Sequence, residues 1–492
     1  FLEGMDLFRL PIADDGSGVA TLFYSRRIGA PPRGAPGNRA IVDLPRLTTI
    51  YGAAKLSGRI SRDTSIGLLQ AVTAEETGWA EPADNTDVTG PASQVTNGEL
   101  DRVVVEPLSS YSMLRLRRDH DSGKASASLA ATAVHRFLDG TGVEPELHDR
   151  AYAAGTEYRR YFGSANDYSL FLQLNGSYVH GSPAAIDQTQ QSSVHYYQRP
   201  DAAYLGYDPS RTYLAGYGWQ YELAKKGGSW LRGGIAGFGR SPGFEVNDIG
   251  FQREADRTLN YGWLLVVDEE PGRYLRKWQV VSNAWEYTSF EPRHLVTGIN
   301  LFASATSLGY WTIGGGYELD APSWSIEALR GGPALREDFI HNAWFSLGSD
   351  PRRKTTLLFN ANNSYIPASG SASFQASGEL AMQLRPSLRI SLGPSFQHND
   401  QHSQWVATVD GRHILGRITC STLGVTFRLS YTLSPRLSLQ AYAQPFVSVG
   451  RYGDYREVAD AAAERYRDRF SFYAPNELRE VDGRMLVDRN GD

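Results

Sequence analysis

The sequence predicts an all-β fold, a large antiparallel transmembrane β-barrel with about 20–24 strands in the intact protein. Three observations carry this expectation. Apolar and polar residues alternate with a period of two, recurrently, from about residue 48 to residue 448. Short turns alternate with long polar loops, the habit of barrels that cross outer membranes. The composition is rich in glycine and tyrosine (50 and 27 residues) and poor in methionine and cysteine (4 and 1). At 492 residues the chain exceeds one ordinary core, so the choice lies between several domains and one very large closed sheet. No stretch approaches the roughly 18 uncharged apolar residues of a membrane-spanning helix. A spanning strand escapes that test, because only every second residue need be apolar.

Residues 1–47 come first and do not fit a barrel wall. They are rich in Gly, Pro and Arg, as in Ala30-Pro31-Pro32-Arg33-Gly34, and read as an entry segment that could fold inside as a plug. Residues 48–450 follow as the wall, with about twenty alternating segments near the 9–11 residues that cross a bilayer at a tilt. Tyr168, Leu170, Leu172, Leu174 and Tyr178 alternate with Ser169, Gln173, Asn175 and Ser177. Tyr213, Tyr217, Trp219, Tyr221 and Leu223 alternate with Gly216, Gly218, Gln220 and Glu222. Val425, Phe427, Leu429, Tyr431 and Leu433 form one face of a strand that ends at the Ser434-Pro435-Arg436 turn. Other short turns fall at Arg62-Asp63, Asp350-Pro351 and Pro386, and longer loops near 75–102, 181–210 and 241–257. Residues 451–492 read as a long loop in which Val458, Ala459, Ala462 and Tyr466 have helical spacing, so a short helix is expected over 455–470. A soluble β-propeller is the competing fold. It would repeat every 40–50 residues or so, and no such repeat is present. Tyrosines at both ends of an apolar stripe suit a membrane interface instead.

Five ordered landmarks resemble one family. They are Phe1-Leu2-Glu3-Gly4, Tyr24-Ser25-Arg26-Arg27-Ile28-Gly29, Gln198-Arg199-Pro200-Asp201, the run from Pro242 to Gly250, and Leu439-Gln440-Ala441-Tyr442-Ala443-Gln444-Pro445-Phe446. The sequence resembles the barrel region, catalogued as a domain of unknown function, that follows a carbohydrate-binding family 9-like domain in Gram-negative outer-membrane proteins. The resemblance implies an outer-membrane location and a periplasmic β-sandwich ahead of the barrel. It implies no established substrate and no catalytic residue. The chain begins without an initiator methionine and ends on Asp488-Arg489-Asn490-Gly491-Asp492, so it reads as a fragment lacking that sandwich and the closing strands.

Chemistry is sparse. A net charge of −5 argues against a nucleic-acid partner. Cys420 stands alone and reads as a packing residue, and no Cys/His array suggests zinc. No cofactor is expected. Gly239-Arg240-Ser241-Pro242-Gly243 fits G-x-S-x-G, the one hint of a membrane-associated hydrolase. In a nucleophile elbow the residue after the serine donates its N–H to the oxyanion, and Pro242 has none. His180, His195, His341, His398 and His402 are scattered and read as surface or lumen residues. Asp488, Asn490 and Asp492 resemble the start of a calcium loop with its glycine one place early, and read as a polar turn.

The inward faces are the more informative signal. If Leu56 and Ile60 face lipid, Lys55 and Arg59 face inward, and Leu114 and Leu116 send Arg115 and Arg117 inward likewise. Glu157, Glu222, Arg389 and Arg428 follow by the same test. A charge facing lipid at the midplane costs about 2–4 kcal/mol, so this orientation is favoured. These eight residues are the candidates for lining a lumen, as a mixed network of paired charges rather than an anion-selective arginine lining. The expected partners are outer-membrane lipid and a small solute bound by or passed through the barrel, carbohydrate being the class that the resemblance implies. The alternatives are the hydrolase and a scaffold that binds surface partners through its long loops.

Overall fold

The structure, a computed structural model, describes residues 5–14, 19–34, 40–81, 100–228, 230–474, 477–481 and 484–487. The first landmark and the calcium-like turn lie outside the described residues. The chain is all-β, and its dominant feature is one antiparallel sheet of 20 strands. One α-helix, α1 (Pro183–Gln191), is present among the described residues. Ser182 caps it by accepting from the Ala185 N–H, with a proline in its first turn. The chain forms two compact units. The first comprises Phe1–Gly227, Gly234–Asn260 and Thr288–Pro292, and the second Gly228–Gly233, Tyr261–Tyr287 and Arg293–Asp492.

In the first unit the strands Ile50–Arg59, Thr64–Thr73, Ser109–His120, Ala125–Arg136, His148–Phe162, Tyr168–Gly181 and Tyr213–Lys225 pair antiparallel, each with the next. Short connections join them at one end and long ones at the other. The register aligns the alternation across strands, so each face has one character. Leu56, Leu68, Leu114, Ala131, Ala154 and Gly176 fall in one cross-strand row on an exposed apolar face. The opposite face is covered. Phe8, Leu10, Ile12, Leu22 and Phe23 pack there with Tyr111, Met113 and Val134 of the strands and with Phe244, Val246 and Ile249. Part of the long loop expected over 75–102 is strand: Glu76–Ala80 pairs with Ile41–Asp43 and with Asp101–Glu106 in a small separate sheet.

In the second unit the strands His294–Ser307, Thr312–Asp320, Ile340–Gly348, Thr355–Ile366, Ser371–Arg385, Leu388–Val409 and Arg412–Ser434 pair in sequence order. The last two are 22 and 23 residues long. Arg412–Ser434 then pairs with both Leu437–Ala443 and Phe446–Val458. The strand Phe446–Val458 therefore runs through the boundary expected at residue 450.

The helix expected over 455–470 is not formed. Residues 456–458 pair with Phe470–Phe472, and only a 3-10 turn, Tyr466–Arg469, lies between them. The carbonyls of Ala463 and Glu464, which a helix would use internally, accept instead from the buried Arg469 guanidinium. That guanidinium is held against Asp338 at 2.7 and 2.9 Å. Of the apolar positions with helical spacing, Val458 ends a strand and Tyr466 opens the 3-10 turn, and both pack on a cluster of Leu329, Leu335, Leu415 and Phe470.

Candidate functional site

The covered face of the first unit carries six of the eight candidate residues. Lys55 aligns with Leu69, Arg59 with Ser65, Arg115 with Gly67, and Arg117 with Ser128 and through it with Glu157. Glu157 aligns with Gln173 and Gln220, which places Glu222 two residues further on the same face. The structure brings Arg115 and Glu157 together at 2.5 Å, with Ser128 donating to the same carboxylate at 2.6 Å. Arg117 pairs with Asp119 and Glu222 with Lys226. Arg59 has no side-chain partner among the described residues. In the second unit Arg428 contacts Glu379 at 3.4 Å and lies over Tyr442, whereas Arg389 borders the same exposed hollow as Arg353 and Glu379.

Several of these polar groups grip the entry segment by its backbone. Arg115 donates to the Arg9 carbonyl at 2.7 Å, and Gln173 donates to the Pro11 carbonyl at 2.8 Å. The Lys55 ammonium lies 4.3 Å from the centre of the Phe8 ring. Further along, Thr21 and Phe251 exchange backbone hydrogen bonds, and Tyr24 N–H donates to the Ile249 carbonyl. Arg27 donates to the Gly250 carbonyl and to Asn247. The landmarks at 24–29 and 242–250 thus meet in space.

At their junction sits a buried charge cluster. Asp248 accepts from Arg136 at 2.6 Å and contacts the His148 Nδ1 at 2.8 Å, and the His148 Nε2 is 2.8 Å from the Thr189 hydroxyl of α1. Burial opposes ionisation of Asp248, yet His148, Arg136 and Arg33 together hold its carboxyl far below the usual carboxylate range. Beside it, His195 is buried with its Nε2 2.8 Å from Glu245 and its Nδ1 2.8 Å from the Pro242 carbonyl. A third pair, Arg199 with Asp256 at 2.9 Å, includes Tyr204, which donates to the same carboxylate. Burial pushes the Asp256 carboxyl up despite those donors, and it also pushes up the Tyr204 hydroxyl.

His195 is buried within the landmark loop and is therefore not a surface residue. The other scattered histidines have separate partners: Asp149 for His180, Tyr317 for His341 and Ser421 for His398. His402 lies 3.5 Å from Asp400. Ser241 is buried, and its hydroxyl accepts from the Tyr217 N–H at 2.8 Å, so it pins the loop to a strand, and among the described residues no base is hydrogen-bonded to it. Cys420 is half-exposed beside Ser448, not packed in a core. Arg136 was accessible to the alternation test, since it shares a strand face with Ser128, Thr132 and Val134. His148, Glu245, Asp248 and Asp256 had no periodic signal. For the loop residues the one clue was membership of, or proximity to, a landmark.

The geometry defines an all-β protein whose large sheet is covered on one face, in the first unit, by segments locked through buried ion pairs. The chain belongs to the family described as Domain of unknown function (DUF5916), whose model matches residues 1–471. No curated protein matches the chain.

Proposed function

We propose that the twenty-stranded sheet closes into a β-barrel embedded in a bacterial outer membrane, and that the barrel binds or passes a small solute. The observation that carries this reading is the exposed face of the first unit. Leu56, Leu129, Leu172, Leu174 and Leu223 are all exposed on it, a costly arrangement in water and a favourable one in lipid. Aromatic residues bound it at both ends. Tyr152, Tyr178 and Tyr213 stack across three strands at one end, and Phe162 stacks on Tyr168 at the other. Tyr168 and Tyr178 are ten residues apart, or roughly 33 Å along the strand. A tilt of about 40° reduces that to roughly 25 Å, the height of the apolar band of outer-membrane barrels.

On this reading the entry segment and the 241–256 loop are fillers of the lumen, and solute uses the space they leave. Carbohydrate is the solute class suggested by the resemblance to barrels that follow a carbohydrate-binding domain, an association rather than a property of any site. The contacts of Ser241 weigh against the hydrolase reading. Purified protein should insert into lipid vesicles and migrate faster on electrophoresis before boiling than after. Failure to insert, or unchanged migration, would overturn the membrane reading. Swelling of the vesicles in sugars of graded size tests solute passage, and no swelling with any sugar would remove it.

A further inference from the structure

Two adjoining hollows lie on the exposed face of the first unit, over the same strands. One of about 900 Å³ is floored by Ala131, Ala133, Ala154 and Gly176 between the walls of Leu56, Leu68 and Tyr178. The other, of about 690 Å³, continues toward the short-turn end past Leu129, Leu174 and Leu172 to Arg118. The register joins them: Ala131 and Ala154 share a row, Leu129 and Leu174 flank Thr156 in the next, and Ala127, Tyr158 and Leu172 follow. The result is a furrow of small residues with leucine walls, running along the strands for about six residues, or roughly 20 Å.

Its charge is one-sided. Arg118 aligns with Ala127, and Arg160 with Ala125, so both guanidinium groups belong to this face at the furrow's short-turn end. They stand two strands apart, about 10 Å. Neither has a side-chain partner among the described residues. Among the described strand residues between Ile50 and Gly181, the carboxylate found on this face is that of Asp149, which lies at the long-loop end against His180 and Arg150, away from the furrow's two arginines. On the opposite face, by contrast, Arg115 has Glu157 close by, Arg117 has Asp119, and Lys226 has Glu222.

We infer that this furrow binds one anionic glycerophospholipid, an acyl chain lying over Ala131, Ala154 and Gly176 and its phosphate held by Arg118 and Arg160. The inference rests on the membrane reading above. Under that reading the short-turn end faces the periplasm, so the lipid belongs to the inner leaflet. A guanidinium at headgroup depth binds phosphate by charge-assisted, geometrically matched hydrogen bonds. The small side chains let the chain lie close to the strands, where dispersion contacts are densest.

Native mass spectrometry of the detergent-solubilised protein with phosphatidylglycerol or phosphatidylcholine tests this. One tightly retained phosphatidylglycerol is expected, with affinity at least about tenfold above that for phosphatidylcholine. Arg118→Gln with Arg160→Gln should abolish the preference. Gly176→Leu should reduce retention of both lipids, and the fold should tolerate it, because a Cβ there has only the Gly216 carbonyl within reach, at 4.0 Å. Protein that inserts into vesicles but holds both lipids equally, or arginine variants that keep the preference, would overturn the lipid site and leave the membrane reading standing. Protein that does not insert at all would remove both.

Discussion

Arg136, His148 and Asp248 show what an isolated buried carboxylate would cost. Asp248 is buried and ionised only because Arg136 and His148 face it from the strands and Arg33 adds its field. Arg136→Met should destabilise the protein by about 3–5 kcal/mol, because it removes a hydrogen-bonded partner of a buried charge and leaves only His148 and Arg33 to face it. Chemical denaturation checks the size of the loss. Asp248→Asn in the same background should recover part of it, since the neutral amide carries no charge to compensate. The pH dependence has a definite sign. The folded-state carboxyl ionises far below its ordinary value of 3.8, so its stabilisation is fully present above that value. It is lost as the pH falls below 3.8 toward the folded-state value, and Asp248→Asn should flatten this part of the stability curve. A wild-type and Asp248→Asn pair with parallel acid-unfolding curves would show that the cluster is not ionised as described.

At the scale of elements, the 241–251 loop lies directly on the strand Tyr213–Lys225. Ser241 exchanges two hydrogen bonds with Tyr217, and a Cβ at Gly216 would collide with the backbone of Gly243 and Phe244. The collision is with main chain, so no rotamer change relieves it. Gly216→Ala should lift the loop and weaken its hold on residues 21–27, while the strand itself remains paired. Amide hydrogen exchange should then accelerate at Tyr24, Gly250 and Phe251 and stay unchanged at Leu172 and Leu174. Uniform acceleration across the sheet would mean that the loop is integral to the strands. The segment after Val458 makes a related point. Its apolar spacing suits a helix, but Arg469, held by the distant Asp338, takes the Ala463 and Glu464 carbonyls a helix would need, and local propensity yields.

At the scale of the whole molecule, the proposed barrel would present a polar face in which three of the six candidate cations have an acid beside them. Arg115 pairs with Glu157, Arg117 with Asp119 and Arg428 with Glu379, whereas Lys55 lies over the Phe8 ring and Arg59 and Arg389 have no acid partner among the described residues. Paired charges leave little net field, so weak ion selectivity is expected. In a planar bilayer under a salt gradient, the reversal potential should lie near zero. A strongly anion-selective potential would require the unpaired arginines to dominate the pore.

The sequence by itself determined the all-β class, the two-faced strands and the side on which Lys55, Arg115 and Glu157 fall. A period of two and its facing rule are local properties of an extended chain. It also marked the segments at 24–29 and 242–250 as unusual, without saying why. Tertiary structure alone decided that these segments meet, and that Arg136, His148 and Asp248 close over them. It also decided that residues 455–470 form no helix. Each of those outcomes depends on contacts between residues a hundred or more positions apart, such as Arg136 with Asp248 and Arg469 with Asp338. Such contacts leave no periodic trace in either partner's neighbourhood. A strand's pattern repeats along the chain and can be read there, whereas a buried ion pair is a single event between two distant places.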